Sequence, residues 1–183
     1  MLQPRYVLLD RDGVINEDSD AFIKSPEEWL PIPGSIEAIA LLNSHGYKVV
    51  VVTNQSGIAR GFFDENTLVS IHTKMNELIK QQGAEITAVY FCPHGPDDQC
   101  DCRKPKAGLL LQFAQDFNVD LTTTSVIGDS LRDLQAGELV GAEPILVKTG
   151  KGHQTLINNP NLNALVFENL YDAAKSLIAR HQT

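Results

Sequence analysis

Carboxylates, a hydroxyl and a lysine occur in short polar segments that each follow an apolar run. Asp10 and Asp12 come after the first run, Thr53 after the second and Asp129 after the fourth, and the third run leads through a cysteine-rich loop to Lys104. Each residue taken alone is better interpreted as a turn, capping or backbone-satisfying residue. Together, at the ends of neighbouring strands, they would form one site.

This set of side chains suits phosphoryl transfer to a carboxylate. Asp10 is a weak nucleophile that can form an aspartyl-phosphate once the charge between it and the phosphate is neutralised. A Mg²⁺ ion bound by Asp10 and Asp129 would neutralise that charge, because Mg²⁺ prefers hard oxygen ligands. Asp12 can protonate the leaving oxygen and later deprotonate the attacking water. Thr53 and Lys104 would donate hydrogen bonds to the phosphoryl oxygens.

Four potential zinc ligands fall within one short segment of the chain. They are Cys92, His94, Cys100 and Cys102. Three thiols cannot pair completely in disulfides, and three cysteines with one histidine are a closed tetrahedral zinc set. The alternative is one buried cysteine and two free thiols. We expect a structural zinc that rigidifies the loop and directs Arg103 and Lys104 towards the substrate.

The elements that must position these residues alternate along the chain. Apolar runs predict strands at Tyr6–Leu9, Lys48–Val52, Ile86–Phe91, Ser125–Gly128 and Pro144–Val147. Amphipathic spacing predicts helices around 36–42, 68–79, 110–117 and 170–178, the first with Ser35 as its N-cap. This order predicts a single α/β domain over residues 1–183, with a Rossmann-like parallel sheet and helices on both faces.

Composition and charge limit the partners. The chain has 183 residues, 43% of them hydrophobic, and a net charge of −8. Disorder is thereby excluded, and an acidic surface disfavours nucleic acid as a partner. No apolar run is long enough for a membrane helix, and the N-terminus does not read as a signal peptide, so we expect a cytoplasmic protein. No exposed apolar helix face demands a dimer, so we expect a monomer.

The histidines outside the cysteine loop, among them His72, are interpreted as surface or packing residues.

Four segments resemble the motifs of the haloacid dehalogenase (HAD) superfamily of phosphatases. They are Asp10-x-Asp12-Gly13, Thr53-Asn54, Lys104 and Gly128-Asp129-x-x-x-Asp133, in that order. The resemblance implies that Asp10 is the nucleophile and Asp12 the acid/base. It also implies that Mg²⁺ is held by Asp10, the main-chain carbonyl of Asp12 and Asp129, with Asp133 as a supporting carboxylate. The connections are too short to encode a large cap domain.

Three longer segments sharpen this resemblance. DRDGVIN, TNQSGIARG and CPH…CDCRKP are similar to the heptose-bisphosphate phosphatases of bacterial surface-carbohydrate synthesis, such as lipopolysaccharide synthesis. The resemblance implies removal of the C7 phosphate of D-glycero-D-manno-heptose 1,7-bisphosphate, which leaves the 1-phosphate for ADP- or GDP-heptose synthesis. Histidinol-phosphate phosphatases carry nearly the same signature, and a non-catalytic phosphosugar-binding module is a third reading.

The resemblance also implies the residues that contact the substrate. Arg103 would recognise the second, unreacted phosphate, because a planar guanidinium binds phosphate in a bidentate manner. The alternative is that Arg103 pairs with Asp101 or another acid on the loop. The other expected contacts are Asn54, Gln55, Ser56 and Asp18. The chain departs from the heptose enzymes at Ser130, where those enzymes commonly have lysine.

Overall fold

Six parallel strands form the centre of this computed structural model, which describes residues 4–181. The strands are β1 (Arg5–Leu9), β2 (Tyr47–Asn54), β3 (Ala88–Cys92), β4 (Ser125–Gly128), β5 (Glu143–Val147) and β6 (Leu165–Phe167). The helices are α1 (Ser35–Ser44), α2 (Glu65–Gln81), α3 (Gly108–Phe117), α4 (Leu131–Leu139), α5 (Gly152–Asn158) and α6 (Leu170–His181). The strands lie side by side in the order β3-β2-β1-β4-β5-β6.

Apolar side chains on both faces of the sheet explain why the strands read as continuous apolar runs. Val7 and Leu9 of β1 belong to the core that α1, α2 and α6 cover. Tyr6 and Leu8 point to the other face, where the core contains Leu110 and other residues of α3. Alternation along each strand therefore fills two separate cores. The predicted fold class is confirmed.

The strand order places the carboxyl ends of β1, β2 and β4 next to one another. The chain runs outwards from β1 through β2 to β3, and then returns to β4 on the other side of β1. In open parallel sheets, such a change of direction leaves a crevice at the carboxyl ends of the central strands. Asp10, Thr53 and Asp129 lie at these ends, and the described residues place no additional domain over them.

The prediction that Ser35 caps α1 is wrong. Gly34 is the N-cap, and its positive φ of 88° lies in the left-handed region that glycine adopts most readily. Ser35 is the first helical residue, and its hydroxyl donates to the carbonyl oxygen of Val14 at 2.7 Å. The serine therefore joins α1 to the loop after β1 and does not satisfy the amide groups of its own helix.

The predicted element boundaries also need correction. Strand β2 extends to Asn54, β3 begins at Ala88 rather than Ile86, and β6, α4 and α5 are additional elements. The three added elements are short, so they give weak periodic signals. Trp29 is fully buried and belongs to the core that α1, α2 and α6 cover. Within residues 4–181, no helix is long and apolar enough to cross a membrane.

Candidate active site

A buried lysine joins two carboxylates at the carboxyl edge of the sheet. The side chain of Lys104 is 4% exposed, and its Nζ lies 3.1 Å from Asp10 Oδ1 and 2.7 Å from Asp133 Oδ1. It also donates to the carbonyl oxygen of Val52 at 2.8 Å. Burial alone would lower the pKa of Lys104, but the two carboxylates raise it above its ordinary value. The ammonium therefore stays charged.

Three carboxylates gather around this lysine. One oxygen from each of Asp10, Asp129 and Asp133 lies within 4.8 Å of the others. Burial, followed by repulsion from Asp133, raises the pKa of Asp10 to about 7. Burial, followed by repulsion from Asp10, raises the pKa of Asp129 to about 8. A divalent cation would relieve this repulsion, and carboxylate oxygens are the ligands that Mg²⁺ prefers, so these residues fit Mg²⁺.

Asp133 is the carboxylate of this group whose oxygens are already bonded. Its Oδ1 pairs with Lys104, and its Oδ2 accepts from the amide of Ser130 at 3.1 Å and from its hydroxyl at 2.8 Å. The bond from the Ser130 amide is one half of a capping box at the start of α4, and in the other half the Ser130 side chain accepts from the amide of Asp133. The arrangement fits Asp133 as a supporting carboxylate. Ser130 itself serves as the N-cap of α4.

Two glycines allow the loops after β1 and β5 to meet beside Asp129. Gly13 has φ of 82° and Gly150 has φ of 55°, and a Cβ added at either would lie 2.0 or 2.4 Å from Asp129 Oδ2. The amide of Lys151 donates to the same oxygen at 2.9 Å. Lys151 belongs to the glycine-rich, basic segment 148–152. In the structure this segment holds the aspartate in place.

Asp12 is bonded on both carboxylate oxygens. Its Oδ1 accepts from the side chain of Arg11 at 2.8 and 3.0 Å and from Asn16 Nδ2 at 2.8 Å. Its Oδ2 accepts from Gln55 Nε2 at 3.1 Å, and that amide also donates to Thr53 Oγ1 at 3.0 Å. Burial would raise the pKa of Asp12, but Arg11 and the hydrogen bonds hold it below its usual value.

Two residues expected to contact the substrate also hold the catalytic candidates. The Nδ2 of Asn54 donates to the carbonyl oxygen of Lys104 at 3.2 Å, and its Oδ1 accepts from the Lys104 amide at 3.1 Å. Gln55 joins Asp12 to Thr53 through the bonds given above. Both side chains still line the cleft, as does Ser56. Sequence spacing cannot show this clamp, because Asn54 and Lys104 lie far apart in the chain.

The cleft above these residues has a volume of about 220 Å³ and two charged walls. Asp18 and Asp20 lie on one side, where Lys151 Nζ is 3.4 Å from Asp18 Oδ2 and 3.7 Å from Asp20 Oδ1. Besides Lys151 and Lys104, the positive lining residues are Arg60, Arg103 and Arg132. Sequence reasoning missed Lys151, Arg60 and Arg132. Arg60 and Arg132 lie within the motifs described above, so a positive charge inside those motifs was the signal that could have identified them.

Arg103 lies half-buried between two other positive charges. Burial lowers its pKa, and the guanidinium groups of Arg132 and Arg60 lower it further. Its Nη1 donates to the carbonyl oxygen of His94 at 3.3 Å. Across the described part of the chain no ion pair joins Arg103 to Asp101, whose carboxylate lies 3.7 Å from Lys106. The Arg103–Asp101 alternative is therefore not what the structure shows.

The four predicted zinc ligands come together at the end of β3. Their ligand atoms all lie within 4.8 Å of one another. His94 presents Nδ1, which is 3.5 Å from Cys92 Sγ and 3.2 Å from Cys102 Sγ, and Cys100 Sγ is 3.6 Å from Cys92 Sγ. Burial and then the neighbouring thiols raise the pKa of Cys102 to about 12. A cation would stabilise the thiolates, so the cluster fits a zinc ion.

Two family models match the chain. The model described as polynucleotide kinase 3 phosphatase matches residues 8–136. The model described as HAD-hydrolase-like matches residues 101–173. Both matched ranges contain Lys104 and Asp129, and the first also contains Asp10 and Asp12. With the parallel sheet and the carboxylate cluster, these matches define the class of the protein as a HAD-like hydrolase.

The chain is also similar to bacterial phosphatases over most of its length. D-glycero-beta-D-manno-heptose-1,7-bisphosphate 7-phosphatase of Pseudomonas putida is 50% identical over 174 residues, which are 95% of this chain and 99% of that protein. The protein of the same name from Bordetella bronchiseptica is 53% identical over 152 residues, which are 83% of this chain and 85% of that protein. The chain belongs to this family of heptose-bisphosphate phosphatases, which confirms the resemblance seen in the sequence.

Solved structures agree with this assignment. The D,D-heptose 1,7-bisphosphate phosphatase of B. bronchiseptica, complexed with magnesium and phosphate, has a TM-score of 0.94 at 48% identity. The alignment covers 96% of this chain and 99% of that one. The enzyme from Burkholderia thailandensis has a TM-score of 0.76 at 43% identity, again over 96% and 99% of the two chains.

Mg²⁺ is expected to raise the melting temperature more at about pH 8 than at about pH 5.5. The pKa values of Asp10 and Asp129, about 7 and about 8, exceed their ordinary value of 3.8. Without metal, the folded state keeps protons that the unfolded chain has released, so the contribution of these groups to stability falls as the pH rises from about 4 to about 8. Metal binding removes those protons and is easier at high pH.

Melting curves with and without a fixed Mg²⁺ concentration at the two pH values test this expectation. Asp129→Asn is the control and should abolish the Mg²⁺-dependent shift at both. A shift of equal size at both pH values in the wild type would contradict the assigned titration of the cluster.

Removal of zinc is expected to lower the melting temperature and the activity together. The loop from His94 to Cys102 has little apolar packing of its own, so the metal supplies its rigidity. Zinc content should be measured by atomic emission, and melting and activity followed before and after chelation. Cys102→Ser should reproduce the effect. Chelated protein with native stability and rate would refute a structural zinc.

Proposed function

We propose that this protein is a Mg²⁺-dependent phosphatase that removes the C7 phosphate of D-glycero-β-D-manno-heptose 1,7-bisphosphate. The supporting observation is the bonding of Asp10. Its Oδ1 accepts from Lys104 Nζ and from the amide of Arg11 at 2.9 Å, which leaves Oδ2 for attack on phosphorus. The close relatives carry this activity in their names, and those names specify the β anomer.

The reaction has two steps. Asp10 Oδ2 forms a bond to phosphorus while the bond between phosphorus and the C7 oxygen breaks. The negative charge of the bound phosphate opposes the effect of Arg11 and raises the pKa of Asp12, so that Asp12 can hold the proton that it gives to the leaving oxygen. The product is heptose 1-phosphate. Asp12 then removes a proton from water, which attacks phosphorus and breaks its bond to Asp10. Inorganic phosphate leaves.

The surrounding groups stabilise charge during both steps. Lys104 lines the cleft, where it can donate to the transferring phosphoryl group, and it also orients Asp10. Thr53 is fully buried and is not among the residues that line the cleft; its Oγ1 accepts from Gln55, so the expected direct contact between Thr53 and the phosphate is not seen. Asp10, the carbonyl of Asp12 and Asp129 would hold Mg²⁺, which neutralises the charge between the carboxylate and the phosphate. Gln55 and Asn54 keep Asp12, Thr53 and Lys104 in place through the hydrogen bonds described above.

The positive wall of the cleft supports a substrate with two phosphates. Arg60, Arg103 and Arg132 come from three different segments and all line the cleft. Arg132 and Arg60 lower the pKa of Arg103, so the three guanidinium groups together attract a second anion strongly. Histidinol phosphate has one phosphate and an imidazole, so it would leave this wall without a partner. We therefore favour the bisphosphate over histidinol phosphate.

A nucleic-acid end is a poorer substrate for this chain. One matching family model is described as a polynucleotide kinase 3 phosphatase. However, the net charge of −8 opposes a phosphate backbone, and the arginines line a small cleft rather than an extended groove. The monomeric state and cytoplasmic location expected from the sequence stay predictions.

Phosphate release from heptose 1,7-bisphosphate and from histidinol phosphate, each with Mg²⁺, tests the proposal. We expect a kcat/KM for the bisphosphate at least about 100-fold higher, with the 1-phosphate left over, because the second phosphate gains charge-assisted bonds. Asp10→Asn should abolish turnover and keep the fold. A preference for histidinol phosphate would reassign the substrate, and release from neither would favour a binding module.

Loss of the arginine wall should affect the bisphosphate selectively. Arg103→Ala is expected to raise KM for heptose 1,7-bisphosphate by about 10-fold or more, since a charge-assisted hydrogen bond contributes about 1.5–3 kcal/mol. The KM for p-nitrophenyl phosphate, which has no second phosphate, should change by less than about twofold. Lys48→Ala, which removes an exposed charge near the opposite end of β2, is the matched control. Equal changes for both substrates would count against a role for Arg103 in binding the second phosphate.

A further inference from the structure

A fully buried arginine connects the acid/base candidate to a histidine that no motif contains. The side chain of Arg11 is 0% exposed. Its Nε and Nη2 donate to Asp12 Oδ1 at 3.0 and 2.8 Å, and its Nη1 lies 3.1 Å from Nε2 of His72 on α2. The sequence offered only a surface or packing role for this histidine. In the structure His72 contacts Arg11, and Arg11 in turn contacts the carboxylate of Asp12.

The chemistry of the pair fixes which atom donates. A guanidinium has only N–H donors, so Nε2 of His72 must accept the hydrogen bond. Burial and the positive charge of Arg11 lower the pKa of His72 to about 3, so its ring is neutral at physiological pH. The ring proton is therefore on Nδ1. In this state the imidazole is a fixed acceptor for the end of Arg11 that faces away from Asp12.

The bonds around Asp12 leave its two oxygens in different situations. Oδ1 accepts three hydrogen bonds, two from Arg11 and one from Asn16. Oδ2 accepts one, from Gln55, whose amide also reaches Thr53. Because Oδ1 is fully bonded, Oδ2 is the oxygen that can carry a proton to the substrate. The orientation of the carboxylate thus depends on where the guanidinium of Arg11 is held.

We propose that His72 is a positioning residue for proton transfer: it holds Arg11, which in turn presents Oδ2 of Asp12 to the leaving oxygen. The inference rests on the proposed phosphatase function. His72 itself is not among the residues that line the cleft, so it should affect proton transfer and leave substrate binding unchanged. Loss of its acceptor would leave an N–H of a buried guanidinium unpaired, and Arg11 would shift to find another partner.

A comparison of two leaving groups tests this role. The C7 alkoxide of the heptose must be protonated as it leaves, whereas p-nitrophenolate leaves without a proton. In His72→Phe, kcat/KM for heptose 1,7-bisphosphate should fall about 10- to 100-fold at unchanged KM, while kcat/KM for p-nitrophenyl phosphate should change by less than about threefold. His72→Gln should restore most of the loss, because its Oε1 can accept from Arg11.

Further variants separate this role from a merely structural one. His153→Phe makes the same change at an exposed histidine on α5 and should leave kcat/KM unaltered for both heptose 1,7-bisphosphate and p-nitrophenyl phosphate. If His72→Phe does not fold, His72→Ala with added imidazole provides the same comparison, and rescue should be confined to the alkyl phosphate. An equal loss for both leaving groups, or no loss for either, would overturn the positioning role.

Failure of the proposed substrate would look different. It would appear as a wild-type protein that does not cleave heptose 1,7-bisphosphate. The same leaving-group comparison would then be made with an alkyl phosphate that the wild type cleaves, such as histidinol phosphate. A selective loss in His72→Phe would still support the positioning role, and a uniform loss would still overturn it.

Discussion

The buried ammonium of Lys104 lies between Asp10 and Asp133, and the rest of the site is arranged around that contact. Three clustered carboxylates and one ammonium leave a formal charge of minus two when all are ionised, which is what one divalent cation would balance. Removal of the lysine alone would leave buried carboxylates without compensation, a change that typically costs about 3–5 kcal/mol. Stability and chemistry therefore depend on the same ion pairs.

Hydrogen bonds from neutral side chains surround this charged centre. Asn54 holds the backbone of Lys104 at two points, and Gln55 joins Asp12 to Thr53. The two residues follow one another at the end of β2, so a single strand positions groups from two other segments, the loop after β1 and the loop that carries Lys104. Rigid support of this kind keeps donors in place before charge develops on the substrate, which is how such sites accelerate reactions.

Much of the fold and of the site could be predicted from the sequence. The apolar runs predicted the first five strands. A strand that is covered on both faces is a short, continuous apolar run, which differs from the spaced apolar residues of an amphipathic helix. The motifs gave Asp10, Asp12, Lys104 and Asp129, since parallel strands bring their carboxyl ends to one edge. Clamps across long sequence separations, such as Asn54 to Lys104 and His72 to Arg11, could not be predicted. They depend on side-chain directions that spacing along the chain does not fix.

The contact between Gly13 and Gly150 has a consequence for how the protein is made. One glycine lies near the start of the chain and the other near its end, and both pack against Asp129. During synthesis from the N-terminus, Asp10 and Lys104 emerge long before the amide of Lys151 that fixes Asp129. The site proposed to hold the cation is therefore incomplete until Lys151 has been synthesised. A shortened product that ends before β5 would contain every catalytic motif and still lack part of the frame that holds Asp129.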